Sequence, residues 1–125
     1  MFKEDWVMRQ VESIVNFLTM AVLKKKAPGY ELTDIQNNSA ADRLHEELVG
    51  LIREQKVNEA ENLLFDRLDP KDSTSLGLAV DFYSRLNRMD DQTLEGCGFS
   101  REEIKEGLEE CAARCGVRLS DLFGA

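Results

Sequence analysis

Two thiols one helical turn apart, Cys111-x-x-x-Cys115, a third at Cys97 and the single histidine, His45, are the residues whose types could do chemistry. Thiolate and imidazole are the common ligands of zinc, and a thiolate beside an imidazole base is also the pair that nucleophilic catalysis needs. Their spacing is not that of a zinc knuckle. Cys111 and Cys115 also share a helical stripe with Ile104 and Leu108, where a free cysteine packs as a small hydrophobe. A thiol- or zinc-dependent site built from Cys97, Cys111, Cys115 and His45 is therefore the second reading of function, behind a non-catalytic one with no cofactor. His45 follows Asp42 by three positions and adjoins Glu46 and Glu47, beside the Leu44/Leu48 stripe, which predicts an exposed histidine on an acidic helix face. Cys97, between Gly96 and Gly98, is expected to be the exposed thiol. The acidic run from Glu102 to Glu110 reads as the wet face of a helix, interleaved with Arg101, Lys105 and Arg114 in surface pairs.

Composition narrows the role. Three cysteines are an odd number, which suits a reducing, cytosolic address better than a disulfide-stapled scaffold. The opening Met1-Phe2-Lys3-Glu4-Asp5-Trp6 puts acids where a secretory signal would carry basic residues, so secretion is not expected. The longest stretch without charge, Ser13 to Leu23, is eleven residues, against about 18–20 for a membrane-spanning helix. Lys and Arg total 16 against 24 Asp and Glu, a net charge of -8, and the five basic and three acidic residues up to Tyr30 leave -10 on the remainder. That acidic bulk would repel nucleic acid, and no basic stripe interleaved with aromatics offsets it. No nucleotide-binding glycine loop or hydrolase signature identifies a small-molecule substrate.

Helical periodicity runs almost throughout and predicts an all-α fold of five helices in one domain, 1–125. The first is a long N-terminal helix over 1–26, followed by a polar connector over 27–38 containing Pro28-Gly29. Residues 39–125 then hold a helical hairpin and C-terminal helices. In the hairpin, a helix from an N-cap at Asn38 or Ser39 carries Leu44, Leu48, Leu51 and Ile52. A tight turn leads to a second helix capped by Asn58, with Ala60, Leu63, Leu64 and Leu68 inward. A fourth helix, after Ser73-Thr74-Ser75, faces Leu76, Ala79, Phe82, Tyr83, Leu86 and Met89 inward, and Asp90 can cap a short turn through Leu94. The fifth has the clearest start, a Ser100/Glu103 capping box with Phe99 and Ile104 as hydrophobic staple, and Gly116 stands where a left-handed cap belongs. Gly50, Gly77 and Gly107 lie inside helices and read as points of close helix crossing. The tail from Val117 is expected to dock back on the bundle.

The hairpin, with Leu44, Leu48, Leu51, Gln55-Lys56-Val57-Asn58, Ala60 and Leu64, resembles one tetratricopeptide repeat, with Leu48 and Gln55 standing where the repeat usually has glycine. The whole layout resembles a family of small bacterial proteins of unknown function. That resemblance rests on Phe2-x-x-Asp5-Trp6-x-Met8-Arg9-Gln10, on Asn58-Glu59-Ala60-Glu61-Asn62-Leu63-Leu64-Phe65, and on Gly98-Phe99-Ser100-x-Glu102-Glu103-Ile104. It implies no activity and transfers no site residues.

The first helix carries more apolar surface than one packed neighbour requires. At ~100° per residue, Trp6, Val7, Val11, Ile14, Val15, Phe17, Leu18 and Val22 fall on one arc of roughly 200°. Two apolar contacts are implied, one to the chain's own bundle and one elsewhere. A second copy of the helix in a homodimer is the first expectation, a helical partner protein in the hairpin groove the next. A membrane surface is disfavoured by the acidic remainder, and an arc wholly consumed by a three-sided internal core is the plain alternative.

Overall fold

The computed structural model describes residues 2–24 and 40–119. Lys25, Lys26, the connector 27–38, the proposed caps Asn38 and Ser39, and the tail beyond Leu119 lie outside the described residues. The element order is α1 (Phe2–Phe17), a π-helical turn (Leu18–Val22), α2 (Ala40–Arg53), α3 (Val57–Arg67), α4 (Ser73–Asn87), α5 (Asp91–Gly96) and α6 (Arg101–Arg114). The described residues are all-helical, with no strand among them. Among the described residues the expected five α-helices become six. Asp90 accepts a hydrogen bond from the Thr93 amide at 2.7 Å, and this cap supports a short helix where only a turn was expected.

Nor does the first helix run evenly to Lys26. At Leu18 the backbone widens, the Leu23 amide donating to the Leu18 carbonyl five residues back at 2.8 Å, and Lys24 turns left-handed at φ 57.

Helix α4 is the centre of the molecule. It packs against α1, α2 and α6, and every residue from Ser75 to Tyr83 is buried. The sequence Leu76-Gly77-Leu78-Ala79-Val80 has no polar side to turn outward, so Leu78, Val80 and Asp81 are interior, contrary to the one-faced helix expected. Helix α1 lies against both α4 and α6, and this accounts for its wide arc. Val7, Val11, Ile14, Val15 and Leu18 are in the common core, while Phe17 and Val22 pack on its margin. Of the two apolar contacts expected for this arc, α4 and α6 between them take up Val7, Val11, Ile14, Val15 and Leu18, because a helix wedged between two others needs about twice the apolar arc of one packed on a single side.

Three helix ends share one closure. At α2, α5 and α6 an amide donates back five residues: Lys56 to Leu51 (2.8 Å), Phe99 to Leu94 (3.2 Å) and Val117 to Ala112 (2.8 Å). Each closure places one residue left-handed: Gln55 at φ 63, Gly98 at φ 71 and Gly116 at φ 87. Because the closure ends at Lys56, α3 starts at Val57, whose buried side chain joins the core, and Lys56 rather than Asn58 is the N-cap. Glutamine is the residue out of place in this set. Gln55→Gly is expected to raise stability by about 1 kcal/mol, read as a higher urea midpoint with unchanged slope. An unchanged or lower midpoint would show that the side chain compensates its own backbone.

Candidate functional site

Of the four residues that could have made a thiol or zinc site, only Cys111 and Cys115 share an element, α6 and its C-cap, while His45 is on α2 and Cys97 ends α5. His45, on α2, faces α4, where its Nδ1 lies 3.5 Å from Asp81 Oδ2, and Asp81 also accepts from Arg85 Nε at 2.7 Å. It is therefore largely covered and not the exposed histidine expected. Burial pushes the imidazole below its ordinary value, and Arg85 adds to the effect against the pull of Asp81, Asp42 and Glu46.

Cys111, on α6, is fully buried against the Tyr83 hydroxyl, which donates to Glu61 Oε2 on α3 at 2.7 Å. Burial first, then the neighbouring Cys115, pushes the Cys111 thiol up to about 12. Burial likewise raises the Tyr83 hydroxyl and the Glu61 carboxyl above their ordinary values. A thiol so far above neutrality stays protonated, which is the opposite of an activated nucleophile. Cys97 and Cys115 are both half-buried, so Cys97 is not set apart by exposure. Its carbonyl accepts a long bond, 3.5 Å, from Asn58 Nδ2. Among the described residues no group of three or more His, Cys, Asp and Glu is arranged to hold a metal ion.

The glycines divide as well. A Cβ on Gly107 would run into the Tyr83 ring and the Glu61 carboxylate, so α6 crosses α4 where no side chain fits. Gly50 and Gly77 would meet nothing within 4 Å, and the expectation of close crossings there is corrected.

Two titrations follow from these environments. His45 binds its proton more weakly folded than unfolded, so its contribution to stability falls as pH drops below about 6.5. Cys111 holds its proton more tightly when folded, so stability is retained up to the ordinary thiol value of 9.0 and is lost between there and about 12. The loss amounts to about 1.4 kcal/mol per pH unit. Urea midpoints measured against pH should therefore flatten on the acid side in His45→Gln and on the alkaline side in Cys111→Ala. Slopes identical to wild type would show that these groups are solvated.

A further buried charge is Arg101, read from sequence as a surface residue and found only 5% exposed. Its guanidinium donates to the Asn87 carbonyl (2.7 Å), the Met89 carbonyl (2.7 Å) and Asp91 Oδ1 (2.8 and 3.1 Å). Asn87 in turn donates from Nδ2 to the Met8 carbonyl at 3.1 Å, so α6, α4, α5 and α1 meet in one hydrogen-bonded joint. The pairs expected on α6 do form farther along, Lys105 with Glu109 at 3.9 Å and Arg114 with Glu110 at 2.9 Å.

What α1 leaves outside is a narrow strip. Trp6 is 63% exposed and Met20 65%, with Arg9, Ser13 and Asn16 exposed between them. Trp6 alone of the expected interaction residues stands clear of the core, and Met20, which lies beyond the edge of the arc, joins it on the outward side. The helical break leaves no mark in residue types, but an even projection at ~100° per residue already sets Met20 between Arg9 and Ser13, both exposed.

A model of a family of unknown function, DUF6483, matches residues 1–116. The chain belongs to the DUF6483 family. The match spans α1 through α6, so both the polar joint and the exposed strip lie within the DUF6483 domain. No curated protein and no solved structure matches the chain. No helix among the described residues is long and apolar enough to cross a membrane.

Proposed function

We propose that this DUF6483 chain is a non-catalytic helical interaction module that associates with a second copy of itself through the outward strip of α1. The observation that carries the reading is the placement of Trp6 and Met20. They are the large hydrophobics most exposed among the described residues, and both belong to one continuous helical segment. Charge supports it too. Residues 2–24 carry three basic and three acidic side chains in a chain of net charge -8, so like-charge repulsion between copies is least along this helix. The buried polar groups favour a scaffold over a reaction centre, because Arg101 and Tyr83 spend their donors joining helices.

The α2–α3 hairpin is read as a single tetratricopeptide-like unit, supported by its antiparallel pairing and by a fully buried Ala60. The free thiols suit a reducing, cytosolic address.

One helix face lies at the low end of interface size, so the dimer is expected to be weak, with a dissociation constant of order 10 μM. Light scattering across a dilution series should show the mass rising from one chain towards two. Trp6→Asp combined with Met20→Asp should hold the mass at one chain with helicity and thermal midpoint unchanged. Val11 and Leu18 cannot serve this test, because aspartate there would enter the core. A single-chain mass for wild type at the highest concentration would sink the reading.

A further inference from the structure

Resting on the self-association just proposed, we infer that the two α1 helices pair antiparallel about a two-fold axis at Ser13, so that Trp6 of each copy packs on the partner's Met20. Ser13 is exposed and small, and Trp6 on α1 and Met20 in the π-helical turn, both exposed, stand seven residues to either side of it. Reversing one helix about Ser13 therefore brings the two exposed hydrophobics of one copy onto those of the other in swapped order. A thioether against an indole is a favourable contact, and the serine lets the backbones approach between the two anchors.

Charge selects this direction over the parallel one. A parallel pair would set Asp5 beside Asp5, Arg9 beside Arg9 and Lys24 beside Lys24. The antiparallel pair brings the Asp5 end of each helix to the Lys24 end of the other. Trp6 and Met20 are 63% and 65% exposed in the single chain, so the strip of each copy is complete only with the other present.

The test is thiol cross-linking with a short bis-maleimide in a Cys97→Ser, Cys115→Ser background, using full-length chains whose mass is read in parallel by light scattering. Ser13→Cys should cross-link with itself. Asp5→Cys alone and Lys24→Cys alone should stay single, whereas an equimolar mixture of the two should yield a covalent dimer. Self-linking of Asp5→Cys and of Lys24→Cys would overturn the antiparallel register while leaving self-association standing. A dimeric mass with no cross-link at any of these positions would move the interface to another face and overturn the inference as well. A single-chain mass would remove the reading on which it rests.

Discussion

Arg101→Met is expected to lower folding stability by about 3–5 kcal/mol, the range for losing one partner of a buried, hydrogen-bonded charge. Methionine matches the length of the arginine stem but donates nothing. The Asn87 and Met89 carbonyls, each bonded at 2.7 Å, then lose their donor at the end of α4, where the helix dipole makes a cation most favourable. The Asp91 carboxylate loses two bonds at the start of α5. Thermal unfolding should shift by roughly 10–20 °C for a domain of this size. Arg101→Lys should recover only part of the loss, because one ammonium cannot span acceptors that a planar fork reaches together. A change below about 1 kcal/mol in Arg101→Met, on the scale of surface pairs, would show that the joint is solvated and not structural.

The second large effect is expected at Gly107. Alanine is ordinarily the better helix former by about 1 kcal/mol, yet Gly107→Ala should cost about 2–3 kcal/mol net. Its Cβ would stand 2.5 Å from Tyr83 Cζ and 2.7 Å from Glu61 Oε2, so the fully buried tyrosine has to give way. Moving the ring breaks the bond from Tyr83 to Glu61 and disturbs the edge-to-face contact of Tyr83 with Phe82, centroids 4.9 Å apart. The cost should shrink or change sign in a Tyr83→Leu background, where the shorter side chain leaves room. Additive behaviour in that double-mutant cycle would place the strain elsewhere.

These two residues show where sequence reading reaches and where it stops. Local grammar was legible: the Ser100/Glu103 capping box, the Gly116 closure and the short hairpin link are dictated by neighbours within a few residues, and all three are present. Arg101 sits one position inside that capping box, and its type and place read as solvent-facing. Its acceptors arrive from the end of α4 and start of α5, ten to fourteen residues earlier, through a packing no periodicity encodes. His45 fails for the same reason: it lies off the Leu44/Leu48 stripe, and α4 approaches from that side with Asp81. The width of the α1 arc was legible but not its neighbours, because that width is the same whether the second neighbour is α6 or another chain. Met20 was missed because it lies about 40° beyond Trp6, outside the apolar arc, where an isolated hydrophobic among polar residues did not count towards a face.

The enclosure of α4 also sets the order in which the protein comes apart. Amides from Ala79 to Leu86 are shielded by α1, α2 and α6 together, so no loosening of a single neighbour bares them to water. Their deuterium uptake should follow the global opening of the domain, while the α2–α3 hairpin, anchored mainly through one face, trades its protons sooner through partial openings. The middle helix thus serves as the internal clock of the molecule, the last element to exchange and the one whose rate reports on every other.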